Sequence, residues 1–154
     1  MSNLLPKETK VVVIGGGVAG TSCAYHLAKF GWKDVVLLER DQLTSGTTWH
    51  AAGLIGQLGS SATITRLRNY SLNLYKKLEK ETGLSTGLKQ NGSLTVATTK
   101  ERLEELKRQL TFAQRFSVEA NEVDKDQIKE IYPLINTDDI VGGVFIPQDG
   151  QADP

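Results

Sequence analysis

Three glycines constrain this chain more than any other feature. Gly15-x-Gly17-x-x-Gly20 follows a short apolar run, Lys10-Val-Val-Val-Ile14. It opens a stretch in which Ala19, Cys23, Ala24, Leu27 and Phe30 recur at helical spacing as far as Gly31. A run rich in β-branched residues suits a strand buried on both faces of a parallel sheet. A second such run, Val35-Val-Leu-Leu38, ends on Glu39. Residues 10–39 therefore read as one β-α-β unit of the usual size, with Cys23 a small buried thiol on the inner face of its helix. Here the first glycine makes the tight turn and the second lets backbone approach a pyrophosphate. The third permits close helix–strand packing. The helix start offers N–H groups and a partial positive charge to that phosphate. An acid placed as Glu39 is reaches ribose hydroxyls and repels a 2′-phosphate. The unit binds an ADP moiety; NAD and FAD share it, and these residues leave the choice open.

Composition narrows the remaining classes. Lys+Arg and Asp+Glu both count 18, so net charge is zero, against the basic excess of a nucleic-acid binder. One cysteine and two histidines exclude a His/Cys zinc site, and no metal is expected. The longest apolar stretch, 11–20, is half a membrane span and is broken by glycine. The start, MSNLLPKETK, has neither a signal core nor an arginine-rich amphipathic segment. The expected setting is cytoplasmic, or the mitochondrial matrix if a presequence has been removed.

Beyond Glu39 the chain changes character. Residues 40–60 are rich in glycine and hydroxyls, and a loop of that length in a compact domain is usually functional. Ser61 to Gly83 reads as an amphipathic helix with Ile64, Leu67, Ser71, Leu74 and Leu78 on one face. Residues 92–97 and 141–146 read as strands. Thr98-x-x-Glu101 opens a helix whose inner face is Leu103, Leu106, Leu110 and Ala113, and Asp124-x-x-Gln127 opens a short one that Pro133 ends. The division expected is 1–60, a nucleotide-binding β-α-β with its loop, and 61–154, a helical segment with the start of a second, α+β domain. In the loop, His50 is idle surface, a base near a substrate, or a nucleophile toward an activated flavin methyl carbon. Arg66 and Arg68 are candidates for a substrate carboxylate.

The loop sequence Leu43-Thr-Ser-Gly-Thr-Thr-Trp-His-Ala-Ala-Gly-Leu54, followed by Gln57-Leu58, resembles the N-terminal part of the sarcosine and dimethylglycine dehydrogenase family. The likeness continues through Leu78-Glu-Lys-Glu-Thr-Gly-Leu84, Gln90-Asn-Gly-Ser-Leu94 and Pro147-Gln-Asp-Gly150, nearly the whole chain. It implies a Rossmann-like, D-amino-acid-oxidase-like fold with FAD, attached covalently through His50. By the same resemblance Val18, Ala19, Glu39, Arg40, Thr47, Thr48, Trp49 and Leu54 line the ADP and pyrophosphate, beside the fingerprint glycines. It further implies oxidative demethylation of an N-methyl amino acid by hydride transfer to flavin. Electrons pass to an electron-transfer flavoprotein or to oxygen, and a tetrahydrofolate site lies in a C-terminal part. Family members are several times longer, so this chain reads as an N-terminal portion whose catalytic residues lie beyond position 154. A non-catalytic regulatory homologue and a plain NAD-binding module are the rival readings. Retention of His50 disfavours the first and the Thr-Trp-His loop the second.

Overall fold

The computed structural model describes residues 6–154, so the first five residues of the N-terminal reading lie outside the described part. The described residues pack as two compact units, one of residues 6–52 with Pro154 and one of residues 53–153.

In the first unit, β1 (Val11–Ile14) and β2 (Val35–Leu38) pair in parallel, Val11 opposite Val35 through Ile14 opposite Leu38. Helix α1 (Val18–Lys29) crosses between them. It stops where Gly31 takes φ +89° and the N–H groups of Gly31 and Trp32 turn back to the carbonyls of Ala28 and Leu27. This double bond pattern with a left-handed glycine is a Schellman ending. Two sequence expectations fail here for one reason. The strands are not buried on both faces: Ile14 is 86% exposed and Val12 48%. Cys23 is exposed, and α1 holds no buried residue. A two-stranded ribbon covers one side of one helix, and among the described residues of the unit nothing covers the rest.

The second unit carries the core. β4 (Ser93–Ala97), β5 (Asn121–Val123) and β6 (Gly142–Ile146) form an antiparallel sheet in the order β4-β6-β5. Helix α3 (Lys100–Gln114) lays Leu106 and Ala113 against Ala97, Val118, Val144 and Ile146, with Leu103 and Leu110 half-buried beside them, which is the face its spacing gave. Helix α4 (Lys125–Ile131) adds Ile128 to a second cluster with Val123 and Ile140. The Asp124–Gln127 capping box forms as expected, whereas α3 is capped by Thr99, not Thr98. Thr99 has the extended backbone an N-cap needs, and its hydroxyl accepts the Arg102 N–H.

Helix α2 (Ala62–Thr82) begins at Ser61 and ends on left-handed Gly83. Its buried residues are Thr65 and Leu72, while Leu67 is 58% exposed. The expected face is buried in part: Ser71, Leu74 and Leu78 are half-buried and Ile64 is exposed, while Thr65, whose hydroxyl accepts the Gly59 N–H, lies inside. Finally β3 (Leu54–Ile55) pairs antiparallel with β7 (Gly150–Gln151). That pairing carries residues 53–60 into the second unit, although sequence reading put them in the first.

Candidate functional site

The turn after β1 is built by its glycines. Gly15 donates its N–H to the Leu38 carbonyl at 2.8 Å and takes φ +101°, a left-handed value that costs glycine little. At Gly20 a Cβ would stand 3.0 Å from the Gly15 carbonyl carbon and nearer still to its oxygen. Only a residue without a side chain lets α1 start this close to β1. Gly17 is the N-cap and supplies no side-chain cap of its own. The first-turn N–H groups of Val18, Ala19 and Gly20 have no acceptor within the helix. Thr48 meets one of them: its hydroxyl oxygen accepts the Val18 N–H at 3.0 Å. Its own O–H proton and the next two N–H groups are what a pyrophosphate oxygen would bind.

Glu39 closes the other side. Its Oε2 accepts the Gly16 N–H at 2.6 Å; Oε1 accepts those of Arg40 at 2.7 Å and Asp41 at 3.2 Å. These bonds, Gly16's first, hold the carboxyl below the usual carboxylate range. A carboxylate has about four acceptor positions, so one remains for a ribose hydroxyl. The expected sugar ligand is therefore also the tie between β2 and the glycine turn. Sequence reasoning passed over Gly16, where a Cβ would stand 2.5 Å from Leu43 Cδ2 and 3.0 Å from Glu39 Cβ. The signal was there, since a fourth glycine inside the fingerprint has no assigned part in it. Arg40 is exposed and meets Glu39 through its backbone N–H, its charge adding a smaller pull on the carboxylate.

The loop from Leu43 returns onto this turn. The Thr44 N–H donates to the Gly16 carbonyl at 3.0 Å, with Thr44 itself at φ +65°. Thr48 reaches Val18 as described, Thr47 is exposed, and Thr48 O accepts the Ala51 N–H at 3.0 Å. Between these ties the indole N–H of Trp49 donates to Ser45 O at 2.8 Å. His50 Nδ1 lies 2.9 Å from Gly46 O. A carbonyl oxygen only accepts, so that contact places a proton on Nδ1, and in the neutral ring Nε2 is then the nitrogen with the free lone pair. The imidazole is exposed.

The first unit thus gathers Gly15, Gly17, Gly20, Val18, Glu39 and Thr48 around one turn, with Trp49 and His50 on the loop tied to it. Leu54 belongs to β3 of the second unit and is 79% exposed. The glycine cradle, the helix start and the remaining acceptor of Glu39 suit an ADP-containing dinucleotide. Neither arginine candidate is held ready for a substrate: Arg66 lies 5.8 Å from the Phe116 ring centroid, and Arg68 donates to the Leu58 carbonyl. Among the described residues there is no group of side chains that could hold a metal ion, and no helix is long and apolar enough to cross a membrane.

The model of the family described as DAO, FAD dependent oxidoreductase, matches residues 10–154. Human mitochondrial sarcosine dehydrogenase is 46% identical over 154 residues, 99% of this chain and 17% of that protein. Rat mitochondrial dimethylglycine dehydrogenase is 45% identical over 147 residues, 96% of this chain and again 17% of the relative. Among solved structures, L-proline dehydrogenase from P. horikoshii superposes with a TM-score of 0.89 at 32% identity, covering 97% of this chain and 39% of that one. The chain therefore spans about a sixth of the length of the curated relatives it matches.

Proposed function

Because the chain belongs to the FAD-dependent oxidoreductase family, we propose that it forms the FAD-binding part of an enzyme that oxidises an N-methyl group of sarcosine or dimethylglycine. One observation carries the reading. His50 stands two residues after the threonine that meets the start of α1, with its proton on Nδ1. The relatives at 45–46% identity, which share nearly the whole of this chain, act on those two amines by name.

Each residue has a physical task in this reading. Gly15, Gly17 and Gly20 admit the pyrophosphate to the first turn of α1, where the N–H groups of Ala19 and Gly20 and the Thr48 hydroxyl bind it. Val18, Arg40 and Thr47 complete the lining, Glu39 takes a ribose hydroxyl, and Trp49, which the resemblance placed in the lining, is instead bonded to Ser45 O and stacked on His50. His50 Nε2 would hold the flavin by a C–N bond to its 8α carbon, one proton leaving that carbon and one leaving Nδ1. The two electrons released in forming that bond would pass through the isoalloxazine to dioxygen. FAD, when bound, would supply the acceptor for a hydride from the substrate's N-methyl carbon. The resulting iminium either gains water and yields formaldehyde or gives its carbon to tetrahydrofolate bound outside these residues. The electrons go on to an electron-transfer flavoprotein, and the mitochondrial relatives favour the matrix over the cytoplasm as the compartment.

The test is anaerobic mixing of the intact, purified protein with sarcosine and with dimethylglycine while the flavin absorbance is followed. Bleaching by either amine, and a flavin mass on the His50 peptide after acid precipitation, is expected. A flavin that neither amine reduces overturns the substrate reading, and a bare His50 peptide overturns the covalent link.

A further inference from the structure

We propose that Trp49 is a positioning residue for His50, its indole fixing the imidazole in the orientation and tautomer that leave Nε2 as the nucleophile. The inference rests on the covalent reading above and adds to it the residue that prepares the histidine. Trp49 and His50 are held alike: each ring nitrogen reaches the carbonyl four residues back, Trp49 to Ser45 at 2.8 Å and His50 to Gly46 at 2.9 Å. Their ring centroids are 3.9 Å apart with planes inclined at 35°, a tilted stack. The indole is 58% exposed, so no core of its own unit accounts for a tryptophan here; its close neighbour is the imidazole.

These contacts restrict the two motions that would spoil an attack. A half-turn of the imidazole about its Cβ–Cγ bond would lose the Gly46 contact and with it the Nδ1 proton position. A swing about Cα–Cβ would unstack it from an indole that Ser45 O keeps in place. The pair also rides on the phosphate-binding turn, because Thr48 is bonded to Val18 and Thr44 to Gly16. Pre-ordering a nucleophile this way raises the rate of bond formation without adding a contact to the cofactor.

The experiment uses the intact protein prepared without flavin. After FAD is added, the rate at which flavin becomes acid-stable is measured for the parent, Trp49→Phe and Trp49→Ala. FAD affinity is measured separately in a His50→Ala background, with and without Trp49→Ala, which also reports whether the variant folds. Trp49→Ala should attach flavin about two- to ten-fold more slowly, the factor that an aromatic pair corresponds to. Trp49→Phe, which keeps a ring to stack, should recover most of that loss, and FAD affinity should be equal in the two His50→Ala proteins. Attachment by Trp49→Ala at the parent rate overturns the proposal. So does Trp49→Phe as slow as Trp49→Ala. A loss of FAD affinity in the His50→Ala background equal to the loss of rate overturns it too, since Trp49 would then act by touching the cofactor. A parent protein with no acid-stable flavin is a separate result, which removes the covalent reading and this inference with it.

Discussion

Replacing Gly20 with alanine sets two effects of opposite sign against each other at the phosphate turn. Alanine in a helix is favoured over glycine by about 1 kcal/mol. Against this, the new Cβ would stand 3.0 Å from the Gly15 carbonyl carbon and closer to its oxygen. Both are backbone atoms at the end of β1, which is paired to β2 through Gly15 N–H and Leu38 O at 2.8 Å, so neither can rotate aside. Relief therefore means moving the start of α1 away from the turn by more than about 1 Å before ordinary contact is restored. Overpacking of this kind costs about 1–3 kcal/mol, which cancels or exceeds the helix gain. The larger effect falls on the ligand. A displacement of about 1 Å in a binding geometry can cost roughly a hundred-fold, or about 2.7 kcal/mol. The assay is FAD titration by flavin fluorescence in a His50→Ala background, so that covalent capture cannot mask weak binding. Urea unfolding of the same protein separates affinity from stability. Gly46→Ala is the control, since a Cβ there meets nothing within 4 Å and the backbone angle is ordinary. It should bind FAD within about two-fold of its parent. If Gly20→Ala also binds within about three-fold, well short of the hundred-fold expected of a displaced turn, the close approach is not what holds the pyrophosphate site.

Other substitutions test the remaining ties in the same background. Glu39→Gln keeps the shape but not the charge that receives three N–H groups, and FAD affinity should fall measurably by the same titration. Because the folded state lowers the Glu39 pKa, its contribution to stability is present above the ordinary carboxylate pKa of 4.5 and fades as pH falls through the lowered value. An acid unfolding curve of Glu39→Gln that runs parallel to the parent through that window would count against it. Thr48→Val removes the acceptor of the Val18 N–H and should weaken FAD about three- to ten-fold while leaving unfolding of the second unit unchanged. In that second unit, buried Asp149 accepts the Gln57 N–H at 2.8 Å and the Ser93 hydroxyl at 2.7 Å. Asp149→Ala should destabilise it by about 2–4 kcal/mol in urea; a loss under about 0.5 kcal/mol would show the cluster to be dispensable.

What the sequence disclosed of the fold follows the range of the forces involved. The β-α-β unit and the helices of the second unit are set by local signals: an apolar run, a cap, a glycine stop, a 3.6-residue period. Ser61, Gly31, Gly83 and the Asp124–Gln127 box act within one turn of themselves, and each stands where its residue type placed it. Residues 54–55, 121–123 and 150–151 carried no strand signal because two or three residues cannot show an alternation. Leu54 is a strand residue only because Gln151, far along the chain, lies opposite it. The exposure of Cys23, Val12 and Ile14 likewise depends on what is packed against the unit, which no window along α1 or β1 contains.

The candidate site divides along the same line. Spacing alone marks Gly15, Gly17, Gly20 and Glu39, since a turn, a helix start and a strand end fall at set distances in one short motif. The loop from Leu43 to His50 was legible only by resemblance, because residues without periodicity say nothing of where they fold back. Its placement rests on two contacts with the fingerprint, Thr44 to Gly16 and Thr48 to Val18. The first of these shows why Gly16 is glycine. Its N–H is held by Glu39 and its carbonyl by Thr44, while a side chain would meet Leu43 and Glu39 together. One residue without a side chain thus joins the end of β2, the phosphate turn and the histidine loop. The acid expected to hold the sugar is tied through it to the loop expected to hold the flavin.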